Sequence, residues 1–495
     1  MVDVIVSGFS RMWLVPNRAA PQNAPEYQGL WKAGAVTWQQ GDVTTIRVPD
    51  PSRYDEFIRI GKILGNPGDP QLPVMARYTS DLSRLLQLAK RGCDHDLQIH
   101  FGKCRDPQNF NQGWDKIAVL EAAHITQYGT SELGALQPSE RSMVDENVPF
   151  TGENYYEIGR INFAEQATTQ ITQEIVDVLI PDTITCGACG ITSDGCQVVL
   201  LLTLRAGGSP GTGADVAYTK NAGSTWAYRE ITTLTGSNDP DAFAVVSGNV
   251  VVVSVETIGL HYASLADLLV GAETWTSVTT GFVASHGPKA IHTADPTHTW
   301  MVGNTGYIYF TADPTAGVSV QDAGVATIQN LLDIHGVDQL NLVAVGAGNA
   351  VVKTNNGGST WTAITGPAVG VALNSVWMKS PTEWLVGTDG GKLYYTTDSG
   401  VTWTEVAFPG SGAGSVSDIV YATGSVGYMA HATATPRGRI LRTVDGGHSW
   451  YVAPESGTAM AANDRVNALA TCDPNVVWGG GLADNGTDGF AVKGA

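Results

Sequence analysis

Thr354-Asn355-Asn356-Gly357-Gly358-Ser359-Thr360-Trp361 is one of four copies of a single spelling, and the copies set the architecture of the larger part of the chain. The others are Thr219-x-Asn221-x-Gly223-x-Thr225-Trp226, Thr396-x-Asp398-x-Gly400-x-Thr402-Trp403 and Thr443-x-Asp445-x-Gly447-x-Ser449-Trp450. The common pattern is Thr-x-(Asp/Asn)-x-Gly-x-(Ser/Thr)-Trp. Each copy follows an apolar run such as Lys392–Tyr395 and precedes a second, which predicts a hairpin with a fixed turn. A short Asp or Asn side chain is expected to accept hydrogen bonds from the backbone two residues on, Gly supplies a positive φ, and Trp covers the turn while starting the next strand.

The four Trp positions are separated by 135, 42 and 47 residues, so the first gap needs about three units of propeller-blade length. Two degenerate copies fill it. Leu260 to Trp275 keeps the strands and the Trp, and Gly306 to Val318 keeps the strands and Asp313. Strand pairs such as Leu331–His335 with Asn341–Val345 open each unit, giving four short strands per repeat. The last repeat supplies three strands before the chain ends, and Glu174–Ile180 is expected to complete it and close the ring. Seven blades follow; six would follow if the degenerate pair formed one irregular blade.

The box resembles the Asp-box (BNR) repeat of sialidases, sortilin-like receptors and photosystem II assembly factors. In those families it is a folding device on the propeller rim. The box residues are therefore structural, with no catalytic, cofactor-binding or metal-binding role expected for them. Sialidase chemistry needs several arginines converging on a carboxylate and an activated Tyr. From Thr172 onward the arginines are Arg205, Arg229, Arg437, Arg439, Arg442 and Arg465, three of them in one strand and its approach, and no Arg-Ile-Pro phrase occurs. The expectation is a protein that is not an enzyme and uses no cofactor. Gly207–Gly211 matches a nucleophile elbow in spelling, but no helix follows and Pro210 removes a needed N–H. Asp484–Asp488 reads as an acidic turn, with calcium binding as its alternative.

The formal net charge is −19, and residues 172–495 contribute −15 of it, from 12 basic and 27 acidic residues. An acidic body without a basic stripe argues against gripping nucleic acid or anionic lipid. The first fifteen residues carry Asp3 and Arg11 and do not read as a secretory signal, and no apolar run is long enough to span a bilayer. Cys186, Cys189 and Cys196 are the one cysteine cluster, open to a metal, to free thiols or to a disulfide.

Residues 1–171 read as alternating strands around one helix, Thr79–Gly92, whose Leu82, Leu85, Leu86 and Ala89 make an apolar stripe. That order predicts an α+β unit or a β-sandwich with a helix against it. The phrases Val43–Asp50, Arg77–Pro107, Leu120–Leu136 and Tyr156–Phe163, in this order, resemble the major tail tube protein of long-tailed bacteriophages. The resemblance implies a β-sandwich with a flanking helix, assembled as hexameric rings stacked into a tube in a virion tail, alongside other tail proteins, with DNA passing through the lumen without specific binding. The Ala19–Gln28 arm and Ile63–Pro73 loop suit contacts with neighbouring subunits.

The expected fold is thus mainly β: a tail-tube-like domain over 1–171 and an Asp-box propeller over 172–495. The expected function is a virion structural subunit whose external propeller contacts a host-surface glycan. The alternative is a propeller-based binding or assembly factor; photosystem II assembly factors lean on a basic patch that this acidic propeller lacks.

Overall fold

The computed structural model describes the strands of the first 159 residues, then 161, 163–165, 173–181, 197–204, 213–234, 239–246, 250–255, 259–367, 370–432, 438–454, 465–483 and 489–494. The chain separates into two compact units, residues 1–18 with 23–159, and 19–22 with 160–495.

The first unit contains β1 (Arg11–Pro16), β2 (Tyr27–Trp31), β3 (Val43–Pro49), β4 (Phe57–Leu64), β5 (Gln71–Arg77), β6 (His95–Phe101), β7 (Lys116–Ile125), β8 (Met143–Thr151) and β9 (Tyr155–Gly159). Seven of them form one antiparallel sheet in the order β6-β1-β2-β5-β8-β7-β9, and β6 also pairs with β7. The sheet therefore returns on itself, where the sequence led us to expect two stacked sheets. The reason is the length of β7: one edge pairs with β6 as far as Ala123, while the other pairs with β9 near its start and with β8 at His124 and Ile125. Closure of this kind removes free edges. β3 and β4 pair only with each other among the described residues. The expected helix at Thr79–Gly92 lies outside the described residues, as does most of the Ala19–Gln28 arm.

The second unit holds seven four-stranded antiparallel sheets. Their innermost strands are Ile175–Leu179, Pro240–Val246, Pro288–Asp295, Leu331–Gly336, Leu373–Met378, Ser415–Tyr421 and Arg465–Asp473, and each contacts the next until the seventh meets the first. This is a closed seven-bladed propeller, with blades numbered here in that order. The core is divided into wedges between blades: Leu385, Tyr395, Met429 and Trp450 fill one, and Val345, Val376, Met378 and Trp384 fill another. Trp300, Trp384 and Trp478 on second strands are almost wholly enclosed, and each anchors one wedge.

Ring closure differs from the sequence expectation. Glu174–Ile180 is not the outer strand of the last blade; its Ile175–Leu179 segment is the innermost strand of blade one. The missing outer strand is β10, Phe163–Glu165, which pairs with Gly489–Gly494. Both segments are short and apolar enough to pair, but Ile175 and Val178 pack in the wedge between blades seven and one against Ala468 and Trp478, which places their strand innermost in blade one. The second unit accordingly begins at residue 160, ahead of the expected boundary at 171. Blade two lacks a box because a helix, α1 (Leu265–Val270), replaces it, capped by the Ser264 hydroxyl and ended by Gly271 at φ 77°.

Phe163 is fully buried and its N–H donates to the Pro454 carbonyl at 2.9 Å. Phe163→Ala should cost about 3–5 kcal/mol in urea unfolding of the propeller; a change within error would contradict closure through β10.

Candidate functional site

The four boxes adopt one geometry. The Thr hydroxyl donates to the Asx Oδ1 at 2.9 Å in Thr219–Asn221, Thr354–Asn356 and Thr396–Asp398, and at 2.7 Å in Thr443–Asp445. The same hydroxyl accepts the N–H of Gly223, Gly358, Gly400 or Gly447 at 2.9–3.0 Å. The Asx Oδ1 also accepts the N–H four residues on, at 2.8–3.0 Å, a longer reach than the two-residue turn expected. These glycines have φ between 81° and 98°, which a Cβ would strain. Trp361 and Trp450 are buried, and Trp226 and Trp403 are half-buried over their turns. The Thr and Asx side-chain oxygens are used inside their own turns, whereas Trp361 Nε1 donates to Gln321 Oε1 at 3.3 Å and Trp403 Nε1 to the Thr365 carbonyl at 2.9 Å, both outside the box. In blade three, Asp313 keeps part of the arrangement, accepting from the Thr315 N–H at 2.9 Å.

A second set of polar residues was not singled out from the sequence. Each innermost strand bulges near its start, and the residues after the bulge occupy matched positions: Asp177, Ala242, Ala290, Asp333, Ser375, Asp418 and Ala468. An innermost strand pairs on one side only and leaves its other edge facing the channel. Asp177 Oδ2 accepts the N–H of Phe243 at 3.1 Å, Asp333 Oδ2 that of Val376 at 2.7 Å, and Asp418 Oδ2 that of Leu469 at 2.7 Å. In each case the other oxygen accepts the N–H of the following residue, Val178, Ile334 or Ile419. Two histidines act likewise: His292 Nε2 accepts from Gly336 N–H at 3.1 Å, and His335 Nδ1 from Met378 N–H at 3.2 Å. The available signal was an Asp inside an otherwise apolar strand, as in Leu332-Asp333-Ile334.

These side chains are half-buried along the channel yet crowded by protein. Burial pushes the Asp177 and Asp333 carboxyls up to about 7 and Asp418 up to about 6, and the neighbouring carboxylates add to the rise at Asp177. Burial lowers His292 to about 4 and holds His335 well below its usual value. Among the described residues, no group of three or more His, Cys, Asp or Glu could hold a metal ion. Cys472 is disulfide-bonded, whereas Cys186, Cys189 and Cys196, Gly207–Gly211 and the Asp484–Asp488 turn lie outside the described residues. Arg229 and Arg442 do not converge: Arg229 donates to the Tyr218 hydroxyl at 2.9 Å in blade one, and Arg442 to the Pro474 carbonyl at 2.7 Å beside blade seven.

A family model described as "Photosynthesis system II assembly factor YCF48" matches residues 315–469, from the outer strand of blade three into blade seven. Similar solved structures include YCF48 from Cyanidioschyzon merolae, 13% identical with a TM-score of 0.49, covering 67% of this chain and 98% of that one. Another is YCF48 bound to a D1 peptide, 16% identical with a TM-score of 0.48, covering 68% and 96%. U3-55K is 7% identical with a TM-score of 0.47, covering 67% and 98%. No curated protein matches the chain.

Asp445 is enclosed whereas Asn356 is exposed. Alanine at 356 should therefore cost about 1 kcal/mol and at 445 about 2–3 kcal/mol in chemical denaturation. The channel carboxyls also make stability depend on pH. Their folded values lie above the unfolded one, so the native state holds protons that the unfolded chain releases, and this contribution falls as pH rises from about 4 to 7. The buried histidines act in the opposite sense below about 6.5, because the unfolded chain then binds the extra protons. Asp333→Asn removes one carboxyl and leaves the histidines. The unfolding free energy of wild type minus variant should fall across pH 4 to 7 and level above it; a pH-independent difference would contradict the raised carboxyl.

Proposed function

We propose that the propeller is a recognition module that docks another polypeptide during assembly of a larger complex, without chemistry of its own. The match of residues 315–469 to the assembly-factor model supports this reading most directly. A rigid ring of seven sheets suits it, since a preorganised surface pays little ordering entropy on binding. The charge of the unit selects the partner: a body with net −15 favours neutral or basic segments and repels acidic ones. The recognised segment would therefore differ from one suited to a basic patch.

A second reading is favoured by the first unit. The Val43–Leu64 hairpin of β3 and β4 stands apart from the closed sheet among the described residues, as an arm that orders against a neighbouring subunit would. Together with the tail-tube phrases, it supports a virion tail subunit forming stacked hexameric rings around a DNA-conducting lumen, with the propeller as an outer decoration contacting host glycans.

Peptide arrays probed with the full chain test the first reading. Basic and neutral peptides should be retained, the basic ones more weakly as salt increases; retention of acidic peptides alone, or of none, would overturn it. Electron microscopy of the purified chain tests the second: stacked rings are expected, and monomers at high concentration would overturn it.

A further inference from the structure

Two residues beyond the channel carboxyl level, the matched positions are Leu179, Ala244, His292, His335, Trp377, Val420 and Ala470. Three consecutive blades carry rings and the other four carry aliphatic groups. The rings form one arc, with centroids 4.8 Å apart between His292 and His335 and 3.9 Å apart between His335 and Trp377. Tyr421 extends it at 5.8 Å from Trp377.

The backbone sets the tautomers. His292 accepts through Nε2 and His335 through Nδ1, so the proton of the neutral ring resides on Nδ1 of His292 and on Nε2 of His335. With Trp377 Nε1, the arc carries three uncharged N–H donors, and none of them has a protein acceptor among the described residues. All three residues are half-buried. A metal ion needs an imidazole lone pair, and the lone pairs here already accept backbone N–H groups. An organic cation would face the positive ends of N–H dipoles, and an anion would face Asp177, Asp333 and Asp418 one level away. A hydroxyl satisfies both levels, accepting from a ring N–H and donating to a carboxyl oxygen. Across the ring from His335, the half-buried Ala470 of blade seven leaves room for a C–H face.

We propose that this channel arc binds a neutral sugar ring, with His292, His335 and Trp377 as donors. The proposal stands independently of which macromolecule the propeller docks. Saturation-transfer NMR on the full chain tests it with the methyl glycosides of glucose, galactose, mannose and N-acetylglucosamine, and with glucuronate and glucosamine as charged counterparts. At least one neutral glycoside should give a saturable signal, and the charged sugars should bind about tenfold more weakly. Trp377→Phe keeps a ring but deletes its N–H, and Ala470→Leu fills the opposite wall. Each should lower affinity about tenfold while the melting temperature stays near that of wild type. No saturable signal from any neutral glycoside, equal binding of the charged sugars, or wild-type affinity in both variants would overturn the proposal.

Discussion

The propeller depends on how it satisfies the inward edge of each innermost strand. A strand that pairs on one side leaves a row of N–H and C=O groups on the other, and in a closed ring those rows face the channel. A polar side-chain link crosses every junction between blades. Asp177 caps blade two, His292 caps blade four, Asp333 and His335 cap blade five, and Asp418 caps blade seven. The other junctions use the Asp241–Lys289 pair, the Asn374 amide donating to the Ser415 hydroxyl, and the Asn467 amide donating to the Ile175 carbonyl. Apolar wedges hold neighbouring sheets together, and the links fix their register.

This arrangement explains why the channel combines raised carboxyls with lowered histidines. Both groups serve as acceptors for backbone N–H, and both are enclosed to reach them. Desolvation disfavours whichever form is charged, so it raises the acids and lowers the bases. The imidazoles consequently present their remaining N–H groups in a defined direction, and the Asp residues keep lone pairs beside them. Structural capping and a potential ligand surface arise from the same residues.

The boxes were legible because their job is local. Thr354, Asn356 and Gly358 satisfy one another within a single turn, so short-range spacing contains nearly all the information. The blade count followed from them. The closing strand did not, because Phe163–Glu165 and Glu174–Ile180 have similar local character, and only the wedge between the first and last blades distinguishes them. The channel caps were hidden for a related reason: Asp333 reads as one polar residue in an apolar strand until Val376, forty-three positions later, is placed beside it. In the first unit, alternation identified strands but not that β7 would pair along both edges and close the sheet.

Amide hydrogen exchange at Val376 tests the capping account most directly. Its N–H donates to Asp333 at 2.7 Å across the junction of blades four and five. In Asp333→Ala the Val376 amide should lose protection strongly while the Leu469 amide, capped by Asp418, exchanges as in wild type. Unchanged protection at Val376 would contradict the claim that side-chain caps hold the inner edges of the ring.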